Sequence, residues 1–315
     1  MPIFKIHHIT KYEYDRPVKE SMNNMMVFPF QTPEQETLQH DLHISHDPDL
    51  FIYTDYWGNK NGSFNVIRPH QELVIESRLL LRTLAADTLH FPDTDGWQAL
   101  EQEVSTDLRL LELQRTSAIR QGDAMNQLVR LLKEPGHPIH LTVENTCRLI
   151  FEQFTYIKGI TTIESTVDEI LEKKAGVCQD FAHVMLEILR RMQIPSRYVS
   201  GYICPNKNGM RGEGATHAWV EAYLPGYGWA GIDPTNNVWV TNHHVKLAVG
   251  RDFTDCSPVK GSFKGPARQS LSVYVSVGYE DGETFEELTR VQLEKQAGPE
   301  IPELIIDTFA GQQQQ

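Results

Sequence analysis

The stretch KKAGVCQDFAHVMLEILRRMQIPSRYVSGY, residues 173–202, decides how this chain is read. From Cys178, apolar residues recur at Phe181, Ala182, Met185, Ile188, Leu189 and Met192, which is one face of a helix, and Ile194-Pro195 stops the pattern. Cys178 therefore stands in the first turn of a helix aimed at a core. The unpaired N–H groups and dipole of a helix start favour an anion, so a thiolate is stabilised there and becomes a nucleophile. A free cysteine is also often no more than a small buried hydrophobe, and the choice turns on whether a base and an acid accompany it.

The nearest candidate base in sequence is His183. Five residues on, it is rotated by about 140° and raised by about 7.5 Å along the helix, so it does not face Cys178. Packing or a hydrogen bond to Glu187 accounts for it. Asp180, in the first turn, reads as a partner of the helix dipole or a group behind the site.

The base comes instead from GATHAWVEAYLPGYGWAGIDPTNN, residues 214–237, which reads as two strands joined at PGYG. His217, Trp219, Glu221 and Tyr223 share one face of the first strand. If the turn pairs Leu224 with Gly228, Asp233 falls opposite Trp219, on the His217 face and diagonal to the histidine. A slip of one residue puts the aspartate on the wrong face. Singly, His217 reads as an ordinary histidine and Asp233-Pro234 as a turn starter. Jointly, each has a catalytic role: Cys178 attacks a carbonyl, His217 holds and returns the proton, and Asp233 orients and stabilises the imidazole. The Cys178 N–H can donate to the oxyanion, with Tyr156 or loop amides in FTYIKGITT as candidates for a second donor.

At these residues the sequence resembles the transglutaminase-like superfamily of cysteine enzymes, in particular bacterial members with an N-terminal β-domain. The matching phrases are GVCQDFAH, IPSRYVSGY, THAWVEAYLPGYGW and DPTN, supported by HHITKYEY and YWGN near the start and by GRDFTDCSPVKG and LSVYVSVGY near the end. The resemblance implies a papain-like α+β core, with a central helix carrying the thiol against an antiparallel sheet. It also places the family's thiol, histidine and acid on Cys178, His217 and Asp233. The implied reaction is hydrolysis of peptide or isopeptide bonds through a thioacyl enzyme. The alternatives are acyl transfer to amines, or a non-catalytic protein-binding module on the same scaffold.

Composition sets the outer bounds. A chain of 315 residues, 40% hydrophobic and 23% charged, is long enough for two or three domains. A net charge of -13 argues against nucleic acid or an anionic membrane as partner, and the resemblance implies a peptide or protein substrate. The cysteines at 147, 178, 204 and 256 include no CxxC pair, so neither a zinc ribbon nor a disulfide framework is indicated. Reduced thiols and the lack of a secretory pattern at the N-terminus point to the cytoplasm, and no metal or organic cofactor is called for.

Short alternating runs over residues 1–85 predict an N-terminal antiparallel β-sandwich or barrel. Residues 86–285 predict a helical segment followed by the catalytic core, and 286–315 an acidic tail, disordered or docking through ELIIDTF. Thr142 is expected to cap one helix, Ser165 with Asp168 to open another, and Gly176 to close it. CPNKNGMRGEGATH, residues 204–217, reads as a mobile loop at the site mouth. Trp219, Trp229 and Trp239 either line a substrate groove or fill the sheet core. In His7-His8 and His243-His244, strand neighbours point to opposite faces, so neither pair chelates on its own, and structural or surface roles are expected. The resemblance alone brings Asp252, Asp255 and Cys256 towards the site.

Overall fold

The computed structural model describes residues 1–84, 88–92, 96–133, 136–162, 164–204, 210–212, 216–280, 282, 284–293 and 309–310. The alternation at the N-terminus becomes β1 (Ile3–Val18), which buries Phe4, Ile6, His8, Thr10, Tyr12 and Tyr14 on one side. It lies in an antiparallel sheet of order β16-β15-β1-β6-β3, with β3 (Gln35–Ile44), β6 (His70–Thr83), β15 (Gln269–Tyr279) and β16 (Thr284–Leu293). A second antiparallel sheet has the order β17-β14-β2-β5-β4, with β2 (Glu20–Met25), β4 (Phe51–Thr54), β5 (Lys60–Val66), β14 (Val259–Lys264) and β17 (Phe309–Ala310). The two sheets share a core that includes Phe4, Ile6, Val66, Leu73, Leu81 and Val277.

This sandwich differs from the unit expected over residues 1–85. It is assembled from both ends of the chain, because β1 has two edges to satisfy. One edge pairs with β6; the other pairs with β15, from Phe4↔Tyr279 to Tyr14↔Gln269. Part of the expected tail is strand as well: residues 286–293 lie in β16, and 309–310 pair with β14. Residues 294–308 and 311–315 lie outside the described residues.

The third sheet has the order β12-β11-β10-β9-β13, with β9 (Ser196–Ile203), β10 (Thr216–Leu224), β11 (Gly228–Asp233), β12 (Val238–Trp239) and β13 (His244–Gly250). The helices are α1 (Trp97–Thr106), α2 (Leu108–Glu112), α3 (Gly122–Leu132), α4 (Ile139–Gln153), α5 (Val167–Lys173), α6 (Cys178–Arg191) and α7 (Phe253–Cys256). A short parallel pair, β7 (Thr155–Tyr156) and β8 (Ala175–Gly176), leads into α6. The predicted apolar face of α6 packs with Ala218, Val220 and Ala222 of β10 and with Val143, Cys147 and Ile150 of α4. Phe181, Met185 and Leu189 are fully buried there, each worth about 1.5–3 kcal/mol, which fixes the helix on the sheet. Tyr202 of β9, Cys204 just after it, and Val245 and Leu247 of β13 join the sandwich core instead. The third sheet is thus covered on both sides, and the fold is the expected α+β arrangement of antiparallel sheets with a central helix. Among the described residues, no helix is long and apolar enough to cross a membrane.

Three local expectations fail for clear reasons. Helix α4 begins after Pro138, whose φ of -56° already suits a helix, so Thr142 lies inside the helix and caps nothing. The capping box of α5 is Thr166 with Glu169, while Asp168 accepts from the backbone of Arg120 and Gln121 at 2.9 Å each. Helix α5 closes on Lys174 at φ 46° rather than on Gly176. Gly176 is required by close approach, since a Cβ there would run into the Asp180 carboxylate.

Candidate active site

Helix α6 starts where Asp180 ties its first turn to the chain before it. The Asp180 carboxylate accepts from the Val177 N–H at 2.8 Å and from the Thr161 hydroxyl at 2.6 Å, and burial raises its pKa. This is the supporting role expected of Asp180, and it sets the position of Cys178. Tyr156 lies in β7 opposite Gly176, edge-on to Phe181.

Strands β10 and β11 meet in the register that sequence requires, with Leu224↔Gly228, Tyr223↔Trp229 and Val220↔Ile232. One step further, Asp233 faces Trp219, and its Oδ2 lies 2.8 Å from His217 Nε2. Cys178, His217 and Asp233 are 3%, 2% and 0% exposed, so the group is screened from bulk water. His217 Nδ1 makes no conventional hydrogen bond and is the nitrogen left for the Cys178 thiol. Gly212, at φ +83°, covers this edge of the ring, and a Cβ there would lie 3.0 Å from Nδ1. Burial disfavours the imidazolium, but the Asp233 carboxylate and then Cys178 outweigh it and push His217 up to about 10. Burial likewise opposes ionisation of Asp233, yet His217 and His244 hold it far below the usual carboxylate range.

Asp233 is also caged by its neighbours. Its Oδ1 accepts from the Thr235 N–H at 2.9 Å, and its Oδ2 accepts from Asn236 Nδ2 at 2.7 Å. Asn236 in turn receives the Arg211 N–H at 2.7 Å and donates to the Arg211 carbonyl at 3.1 Å. The Cys147 thiol of α4 donates to the Asp233 carbonyl at 3.4 Å. Sequence reasoning missed Asn236, although it lies within the DPTN phrase.

It also assigned both histidines of the second pair to structural or surface duty. The His244 side chain is fully buried, and its Nε2 lies 3.3 Å from Asp233 Oδ2. His217, Asp233 and His244 thus converge as a metal set would. The 2.8 Å between His217 Nε2 and Asp233 Oδ2 is, however, a hydrogen bond, shorter than the ~3.3 Å between two ligands held tetrahedrally about 2 Å from zinc.

The remaining candidates take other parts. His183 does not bond Glu187; it accepts the Phe253 N–H at 3.3 Å, while Glu187 takes Ser117 N–H and Arg191. A cleft of about 460 Å³ opens on this side of α6, lined by His183, Leu186, Glu187 and Arg190 with Asp252 and Phe253. Asp252 caps α7, Asp255 pairs with Arg251, and Cys256 is buried, so this motif braces α6 and β9 rather than reaching the thiol. His7 pairs with Glu76 at 2.7 Å, and His8 bonds Tyr202 at 2.7 Å and Thr10 at 3.1 Å, pointing to opposite faces as expected. Trp219 is fully buried beneath His217, Trp229 lies under the Arg197 guanidinium, and Trp239 packs on Phe91. Of the loop over 204–217, residues 205–209 and 213–215 lie outside the described residues.

Fold and sequence now define the class. The transglutaminase-like superfamily core matches residues 128–234, and the bacterial transglutaminase-like N-terminal region matches residues 4–82. Over 276 residues the chain is 32% identical to an uncharacterized protein of Mycobacterium leprae, covering 87% of this chain and 97% of that one. A protein-glutamine gamma-glutamyltransferase of Pseudomonas aeruginosa is 36% identical over 98 residues, which cover 29% of this chain and 15% of that protein. A crystal structure described as a candidate cysteine protease from Cytophaga hutchinsonii superposes with a TM-score of 0.66 at 20% identity, covering 99% and 98% of the two chains, and so shares the fold. The chain belongs to the transglutaminase-like superfamily, with the bacterial N-terminal region.

Proposed function

We propose that this protein is a cysteine-dependent amide hydrolase acting on peptide or isopeptide bonds of a protein substrate. The observation that carries the reading is the His217–Asp233 hydrogen bond of 2.8 Å, which leaves Nδ1 for a thiol at the start of α6. In this mechanism the Cys178 thiolate attacks the carbonyl carbon, and the Cys178 N–H, at the helix start, donates to the oxyanion. The C–N bond breaks as His217 gives its proton to the leaving nitrogen. A water then loses a proton to His217 and attacks the thioester, releasing the acid and the thiolate. Asp233 keeps the imidazole oriented and stabilises its charged form. The reading places the protein in a reducing compartment, the cytoplasm, where Cys178 stays a thiol.

Acyl transfer is the second reading, favoured by the core similarity to the glutamyltransferase. An amine takes the place of water in the second step.

The test is to incubate full-length protein with denatured casein, with and without a fluorescent primary amine, alongside Cys178→Ser. New peptide termini or released ammonia without the amine mark hydrolysis; amine incorporation marks transfer. The reading is abandoned if neither occurs and iodoacetamide alkylates Cys178 no faster in wild type than in His217→Ala.

A further inference from the structure

We infer that His244 is a positioning residue for the acid of this site: by donating its Nε2–H to the Asp233 oxygen that also holds His217, it limits how tightly His217 keeps the proton it must return. The inference rests on Cys178, His217 and Asp233 being the working group. It adds a second imidazole behind the first.

The geometry comes from three strands that end at one place. His217 is on β10, Asp233 ends β11 and His244 begins β13, on the far side of β9. Gly201, the β9 partner of His217, lets the backbone next to His244 and the Trp219 ring come close to β9. A Cβ at Gly201 would strike the Val245 carbonyl and come within 2.7 Å of the Trp219 ring. With that space open, the Trp219 indole meets His244 edge-on, with centroids 5.1 Å apart at 74°. The ring of His244 is thus held by Trp219, and its polar edge is aimed at Asp233.

The proton positions follow from chemistry. An ionised carboxylate only accepts hydrogen bonds, so the nitrogen each imidazole turns towards Asp233 Oδ2 carries a hydrogen. For His244 that nitrogen is Nε2, and its buried Nδ1 has no hydrogen-bond partner. Burial lowers the pKa of His244, so the ring is neutral and has one N–H to give. At 3.3 Å against 2.8 Å, His217 keeps the stronger bond and His244 takes a share of the same lone pairs. The titratable groups facing the trio are Cys178 from α6, Cys147 from α4 and His243 from the turn just before β13. Asn236 and the Thr235 N–H already fix where the carboxylate sits, so what His244 changes is its basicity. A less basic carboxylate makes the His217 imidazolium a better acid for the leaving nitrogen.

The test uses ring-nitrogen NMR of the full-length wild type, His244→Phe and His244→Gln. Phe keeps a ring against Trp219 without a donor, and Gln offers an N–H near the Nε2 position. In wild type His244 is expected as the Nε2–H tautomer. In His244→Phe the His217 midpoint is expected to rise by about 0.5–1 pH unit, three- to tenfold in proton affinity, and His244→Gln to restore it to within about 0.3 unit. A His244 protonated on Nδ1 overturns the inference, and this needs no variant. So does a His217 midpoint that stays or falls in His244→Phe, or one that Gln fails to restore. The titration of His217 requires no reaction at Cys178, so failure here is distinct from failure of the thiol reading, which the His217→Ala alkylation measures.

Discussion

One histidine on the helix that carries the thiol and one on the strand packed against it have opposite charge tendencies. On the cleft side of α6, burial pushes His183 down to about 4, with Asp252 opposing and Arg190 adding to it. On the sheet side, His217 is more deeply buried, yet Asp233 and Cys178 drive it up to about 10. Burial by itself makes an imidazole neutral, and a charge-storing histidine needs an anion placed against it in the same dry space. Proximity in sequence to Cys178 favours His183; the hydrogen bond favours His217.

The comparison breaks most readily at the thiol. His217→Ala is expected to slow iodoacetamide alkylation of Cys178 at neutral pH by about 10²–10³, and His183→Ala to leave it within about twofold. Cys147, Cys204 and Cys256, whose thiols burial pushes well above the usual range, serve as internal references. Peptide mass spectrometry reads all four. Equal losses in the two variants would sink the distinction.

The next effect concerns the sheet side alone. Gly201→Ala is expected to cost about 2–4 kcal/mol in urea unfolding, because the added methyl meets backbone and Trp219 together. A cost below about 1 kcal/mol would mean that β9 yields easily and that Trp219, which packs on His244, is not held in place there.

The pH dependence of stability separates the two histidines by sign. His217 binds its proton more tightly when folded, so its contribution is complete below the unfolded midpoint of about 6.5 and is lost as pH climbs towards about 10. Asp233, depressed in the fold, contributes above its unfolded range of about 3.9 and loses that as pH falls further. His183 acts the other way from His217: the unfolded chain takes up a proton near 6.5 that the fold refuses until about 4, so stability drops across that interval. His217→Gln should flatten the alkaline decline of Tm and His183→Gln part of the acid decline. Interchanged effects would contradict the assignment.

The smallest effect lies at the rim of the His183 cleft. Thr166→Ala is expected to lose about 1 kcal/mol through the α5 capping box, and Ser165→Ala less than about 0.5 kcal/mol. Thermal unfolding of the pair decides which hydroxyl is the cap.

Much of the site was legible because its signals are local. The start of α6 follows from apolar spacing after Cys178, and the face shared by His217 and Asp233 follows from strand alternation and one turn length. The capping errors have two causes: at α5 two neighbouring hydroxyls, Ser165 and Thr166, compete and backbone geometry chooses between them, and at α4 the helix starts earlier, after Pro138. His244 was not legible as part of the site: its partner is on β11, its support is on β10, and β9 lies between β13 and both.

From the residues alone one could establish the helix bearing Cys178, the β10–β11 register, the alternation of β1 and the class of the core. The first three depend on periodicity and turn chemistry within a few residues, and the class of the core on the family resemblance carried by its motifs. Only the tertiary structure decided that the sandwich closes with strands from the far end of the chain, that His183 stays neutral, and that His244 and Asn236 share Asp233. Those outcomes depend on which buried groups meet across sheets and helices, and the energy of a charge or an unpaired strand edge is set by that environment rather than by its neighbours in sequence.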